Sequence, residues 1–298
     1  MPRLALQWML ISLLLPLSAT SAAQDSGPVA LTPSTLSGRA PAWSPDGKRI
    51  AFEANRDGRW SIHVLTVETR AIERISDTDV DERYPAWSPD GLRLVSVCTQ
   101  AGQTDLCVRK VGGRDKATVI QAPGDELWPA WSPDGSEIAF TRQRGTAFDL
   151  QVVKFDGSVA GGAVTLAEDA KWPRWSPDGR HLAFFSRRDT EGKDDEIYTI
   201  DRRSGALSRV TEHLGHDFCP AWSPTGGNMV VASVDNAGTR ALRILDGRGR
   251  EVARLGLGHF RVTEPSWSPD GQSIVYAATR KEGDPYQLFV ERVALLRR

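Results

Sequence analysis

One pentapeptide governs what this chain can fold into. Trp-Ser-Pro-Asp-Gly starts at Trp43, Trp87, Trp131, Trp175 and Trp267, with the variant Trp-Ser-Pro-Thr-Gly at Trp222, at spacings of 44, 44, 44, 47 and 45 residues. A proline lies two residues ahead of each tryptophan (Pro41, Pro85, Pro129, Pro173, Pro220, Pro265), and an apolar triplet begins seven residues after it, from Ile50-Ala51-Phe52 to Ile274-Val275-Tyr276. A fixed period of this size marks a repeat architecture, in which each unit is one supersecondary motif that buries its apolar face against its neighbours.

Each unit reads as four short strands. The first runs from the proline into the tryptophan, and Pro-Asp-Gly then turns the chain: proline sets φ, aspartate bonds the local backbone and glycine takes positive φ. The apolar triplet is the second strand, Ile62–Leu65 and its counterparts the third, and Glu73–Ser76 or Ser208–Thr211 a short fourth. Four antiparallel strands in 40 to 45 residues make a propeller blade, so the predicted fold is an all-β, six-bladed β-propeller. Proline at the head of the first strand suits an innermost strand, whose axial edge is free. After its third strand (Tyr286–Val290) the sixth unit has too few residues left for a fourth. Leu31-Thr32 stands twelve residues before Trp43, as Ile75-Ser76 does before Trp87 and Val210-Thr211 before Trp222. Val29–Thr32 is therefore predicted to supply the missing outer strand and close the ring.

Composition excludes several classes. With 40% hydrophobic and 25% charged residues, disorder, collagen and a membrane bundle do not fit. Thirty-seven basic against 38 acidic residues give a net charge of -1, so no global field draws in nucleic acid. Arg3, the apolar run Leu4–Leu17 and the small residues before Gln24 read as a signal peptide over residues 1–23, cut after Ala23. The expected mature chain, 24–298, is periplasmic or secreted and monomeric, with no transmembrane segment after cleavage. Cys98, Cys107 and Cys219 show no finger spacing. Cys98 and Cys107 flank a predicted hairpin turn and could form a disulfide in an oxidising compartment, leaving Cys219 unpaired.

The six Pro-x-Trp-Ser-Pro-Asp-Gly copies and their Ile-Ala-Phe-type strands resemble the repeats of TolB-family propellers, six-bladed periplasmic relatives of WD-repeat proteins. The resemblance covers about residues 29 to 298 and does not include the N-terminal α/β domain of full-length TolB. It implies a non-catalytic module of the cell envelope, without a cofactor, whose channel mouth docks an envelope protein or peptide; in TolB that partner is peptidoglycan-associated lipoprotein. Similar repeats occur in prolyl-oligopeptidase-like peptidases. The Gly-x-Ser-x-Gly elbow of their hydrolase domain is missing, since Gly157-Ser158-Val159-Ala160-Gly161 has its serine elsewhere.

Candidate site residues follow from propeller geometry, which brings the loops entering the innermost strands to one mouth. Six residues before each tryptophan stand Ser37, Asp81, Asp125, Asp169, His216 and Arg261, with Glu82, Glu126, Glu168 and Asp217 beside them and Glu264 nearer its strand. This acidic arc is either a solvated face or a docking surface for a basic peptide or cation. Three residues before the tryptophans, Tyr84, Trp128 and Trp172 are either packed between blades or a protein or sugar platform. Arg174, where other blades carry Ala or Ser, should reach the axis as a ligand anchor or a partner to Asp169. Were the arc a docking surface, Asp81, Asp125 and Asp169 should share one vestibule with Arg174. The alternative function is a carbohydrate-binding or metal-dependent glycan-cleaving propeller, with His213, His216 and His259 as weak metal candidates.

Overall fold

The computed structural model describes residues 27–56, 58–77, 80–100, 102–113, 118–120, 124–157, 159–212 and 215–293. The predicted signal segment, His213 and the last five residues lie outside these. The described residues contain no helix. They form six four-stranded antiparallel sheets, five of them built from four consecutive strands. The innermost strands are Ser37–Trp43, Asp81–Trp87, Asp125–Trp131, Lys171–Trp175, Gly215–Trp222 and Arg261–Trp267. They line a central channel with two ends, one where these strands begin and one where the Ser-Pro-Asp-Gly turns lie.

Each turn is wired by its own letters. In blade one Ser44 Oγ donates to Asp46 Oδ1 at 2.5 Å, Lys48 N donates to the same oxygen at 2.9 Å, and Gly47 takes φ 69°. The set recurs in blades two, three, four and six. Blade five has Thr225 instead, and Ser223 Oγ meets Thr225 Oγ1 at 3.4 Å. A hydroxyl offers the turn less than a carboxylate, so Thr225→Asp is expected to raise the urea midpoint by the equivalent of about 1 kcal/mol. An unchanged midpoint would show that the turn does not limit stability.

The tryptophans join blade to blade. Trp87 Nε1 donates to Ala42 O at 3.1 Å, Trp222 Nε1 to Arg174 O at 3.2 Å and Trp267 Nε1 to Ala221 O at 3.2 Å, each reaching back to the preceding blade. The apolar triplets are the core: Ile50, Ala51, Phe52, Ile274, Val275 and Tyr276 are wholly buried.

Closure follows the predicted phase. Val29 pairs with Val290 and Ala30 with Phe289, making Val29–Ala30 the outer strand of blade six. Thr32 Oγ1 accepts from Leu288 N at 3.0 Å, as Ser76 Oγ accepts from Ile62 N at 3.0 Å and Thr211 Oγ1 from Ile197 N at 2.9 Å. These hydroxyls end the ladders, which is why the fourth strands stop at Arg74 and Arg209, short of the predicted Ser76 and Thr211.

Cys98 and Cys107 are disulfide-bonded. In the hairpin register Cys98 pairs with Asp105 and Cys107 with Ser96, so the two cysteines are not directly opposed and the bond runs diagonally across the hairpin. Cys219 is free and buried, and burial pushes its thiol up to about 12, leaving it protonated at neutral pH.

Candidate functional site

The prolines shape the channel. A proline two residues before each tryptophan cannot donate to the ladder, and in all six blades the register skips there, between Arg39 and Ala42, Arg83 and Ala86, and so on round the ring. The residue before each proline takes positive φ: Ala40 47°, Tyr84 53°, Trp128 52°, Trp172 60°, Cys219 50° and Glu264 56°. Left-handed backbone at bulky residues costs about 1–3 kcal/mol each and persists only where the surroundings enforce it.

This bulge brings the three aromatic residues together. Ring centroids lie 6.1 Å apart for Tyr84 and Trp128, and 5.6 Å apart for Trp128 and Trp172 and for Tyr84 and Trp172. Tyr84 and Trp172 belong to blades that are not neighbours, so they can meet only across the axis. The three rings therefore pack inside the channel, between the two ends, and Trp172 is buried while Tyr84 and Trp128 remain half-buried.

The bulges also free backbone N–H groups, and buried carboxylates take two of them. Ala40 N donates to Glu264 at 2.8 Å and Tyr84 N to Glu53 at 2.9 Å. Arg39 pairs with Glu264 at 2.7 Å and Arg83 with Glu53 at 3.2 Å. Glu53 is pushed up by burial, against the pull of Arg83.

The shared vestibule that a docking arc would require of Asp81, Asp125, Asp169 and Arg174 is not formed. Asp81 accepts from Trp60 N at 2.7 Å, and Asp169 accepts from Ser186 Oγ at 2.8 Å and Arg187 N at 3.1 Å, so both are turned into strand ends and loops; Asp125 is exposed. Arg174 does not pair with Asp169. Asp169 precedes the strand Lys171–Trp175, whereas Arg174 stands near its far end, among the residues that line the turn end of the channel. Glu82, Glu126 and Asp217 are buried within their blades, strand alternation having turned them inward. Glu82 is bonded by Arg109 and by Ser96 Oγ at 3.0 Å. Asp217 takes Arg243 Nη1 on both oxygens, at 3.1 and 2.9 Å. Glu126 faces Arg142 Nε at 3.6 Å, and neither of its oxygens has a hydrogen-bond partner.

Burial pushes Glu126 up to about 8, and the charges of Asp105 and Asp125 add to this against Arg142. A carboxyl whose folded value is raised adds stability below its unfolded value, and that stability is lost as pH rises through the folded value, here from about pH 4.5 to pH 8. Glu126→Gln, which imitates the protonated form, should match the parent near pH 4.5. At pH 9 it should be more stable by about 2 kcal/mol, solvent screening near the exposed Asp125 having trimmed the full shift. Parallel stability curves from pH 4.5 to 9 would contradict this.

Spacing singled out position six before each tryptophan; the structure adds the position two residues later. Arg39, Arg83 and Lys171 stand there, each against an aromatic ring: Arg39 over Tyr286 at 4.8 Å, Arg83 over Trp60 at 4.5 Å, Lys171 over Phe148 at 4.5 Å. Aligning the repeats four residues before the tryptophans would have shown three cations in blades one, two and four. Trp128 also packs on Phe148 and Phe185, at 6.3 and 6.5 Å. The strand-start mouth is thus a continuous patch of half-buried rings edged by cations. The histidines are not gathered there: Asp195 N donates to His216 Nδ1 at 3.1 Å, whereas His259 lies on the rings of Phe289 and Tyr276, at 4.5 and 5.8 Å. Among the described residues no group of three or more His, Cys, Asp or Glu side chains is placed to hold a metal ion.

The model of the TolB beta propeller domain matches residues 26–165 and 142–294, nearly the whole described chain. The chain belongs to the TolB beta propeller domain family. Among solved structures it is similar to TolB from Acinetobacter baumannii, with TM-score 0.70 and 23% identity over 80% of this chain and 59% of that one. A putative TolB from Agrobacterium tumefaciens gives 0.66 and 22%, over 87% and 91% of the two chains. An oligogalacturonate lyase in complex with manganese gives 0.59 and 14%, over 91% and 94%. At these identities the likeness is one of fold, and lyase and TolB share it. A curated relative, the uncharacterized peptidase YuxL of Bacillus subtilis, is 28% identical over 88 residues, 30% of this chain and 13% of that protein. The chain spans 59% of the Acinetobacter TolB chain and a far smaller part of YuxL.

Proposed function

We propose that the chain is a non-catalytic interaction module of the bacterial periplasm that docks an envelope protein at the strand-start mouth of its channel. The observation that carries this reading is the make-up of that mouth. Tyr84 and Trp128 stand half-buried in strained backbone, contiguous with Phe148 and Phe185 and edged by Arg39, Arg83 and Lys171. Tryptophan, tyrosine and arginine are the residues that dominate binding energy at protein interfaces. Family membership supports the same reading, and makes a peptidoglycan-associated lipoprotein the first partner to try. Arg39 and Arg83 are already neutralised by Glu264 and Glu53, so rings rather than net charge should supply the affinity.

The test is binding of the purified soluble part of that lipoprotein from the same cell, followed by capture from envelope extract. Trp128→Ala should weaken either complex about 30-fold or more at both low and high salt, the range of a hot-spot truncation. Ala40 stands at the equivalent place in blade one, so the variant should keep its fold. Undiminished binding by Trp128→Ala would remove the mouth from the interface.

A further inference from the structure

The opposite end of the channel holds a cavity of its own. The residues immediately before the six tryptophans are Ala42, Ala86, Ala130, Arg174, Ala221 and Ser266. They surround a cavity of about 310 Å³ at the turn end, walled by prolines and tryptophans from all six blades. Arg174 is the single charged side chain in that wall among the described residues. Its Nη1 donates to Pro173 O at 2.8 Å and its guanidinium lies 5.0 Å from the Trp172 ring, one of the three that plug the channel.

No carboxylate among the described residues lies within ion-pair distance of Arg174. Burial draws it down to about 10, and the influence of Cys219 and Glu264 does not restore it. It therefore stays charged at neutral pH, a half-buried cation where four blades manage with alanine. With only Pro173 O as a hydrogen-bond acceptor among the described residues, the guanidinium has donors left over for a counter-charge entering the cavity. The planar guanidinium fork fits a carboxylate through two parallel bonds. The volume is at the lower end of small-molecule sites. Beyond Arg174 the lining offers only the hydroxyls of Ser223 and Ser266 among polar side chains apart from indole nitrogens, too few for the many hydroxyls of a sugar.

We propose that this vestibule takes the C-terminal carboxylate of an extended peptide, held by Arg174, with the last apolar side chain against the prolines and indoles. The site is separate from the docking mouth and stands or falls independently of it.

The experiment is a tryptophan-fluorescence titration of the intact chain with the tripeptide Ala-Ala-Phe as free acid and as C-terminal amide. The acid should bind at least about 10-fold more tightly, and Arg174→Ala should abolish that preference, weakening the acid by about 10- to 100-fold. Arg174→Ala installs the residue of four other blades at a half-buried position, so the variant should keep its fold and melt close to the parent. An acid bound no better than the amide, no binding of either, or inorganic phosphate bound as tightly as the acid would each overturn the proposal. So would an Arg174→Ala variant that keeps the preference. The comparison of acid with amide uses the unaltered protein and so holds whatever the variant does.

Discussion

Deleting residues 27–33 should unfold the whole ring rather than trim a tail. Leu31 is 6% exposed and packs with Phe52 and Leu288 from blades one and six. Its burial is worth about 2 kcal/mol. Leu31 N donates to Leu288 O at 2.7 Å, Gln287 Nε2 to Thr32 O at 2.7 Å and Leu288 N to Thr32 Oγ1 at 3.0 Å, contributing about 1 kcal/mol each. A loss of about 5 kcal/mol approaches the whole stability of an ordinary domain. The strand Gln287–Arg292 would also become an open edge, which invites aggregation. The expected result is loss of the cooperative thermal transition; a melting temperature within about 2 °C of the intact chain would refute closure by the N-terminal strand.

Arg243→Met should cost about 3–5 kcal/mol, because it leaves the wholly buried Asp217 without its cation. Arg243 also bonds Glu251 at 2.8 Å, but that partner is partly exposed and can turn to water. The double variant Asp217→Leu with Arg243→Met should recover most of the loss, since replacing a buried pair by apolar side chains of similar size is often neutral or better. Removing the exposed Lys193–Glu191 pair, by contrast, should move the urea midpoint by less than about 0.5 kcal/mol. Equal effects at the buried and exposed pairs would mean that Asp217 is hydrated in solution.

The architecture was legible because its signals are local and repeated six times. Pro-Asp-Gly writes its own turn, and the register of Leu31-Thr32 with Ile75-Ser76 is a matter of counting that the hydroxyl caps bear out. The site was legible only in part. Position alone singles out Tyr84, Trp128 and Trp172, but their meeting on the axis depends on the bulge that proline forces, and a proline at a strand head signals in the sequence only a free edge. The disposition of the acidic residues is hidden for a related reason. Counting charges before each tryptophan cannot show that Glu82, Glu126 and Asp217 alternate into the blades, where Arg109, Arg142 and Arg243 come from later strands. Arg39 and Arg83 were passed over because their partners Glu264 and Glu53 lie on neighbouring blades.

Docking at the strand-start mouth is tested most directly by hydrogen–deuterium exchange of the chain with and without its captured envelope partner. The account predicts added protection at Asp81–Tyr84, at Asp125–Trp128 and around Trp60 and Phe148, with the outer strands Ile72–Arg74 and Leu207–Arg209 unchanged. Protection confined to those outer strands, or to the Ser-Pro-Asp-Gly turns at the far end of the channel, would contradict it.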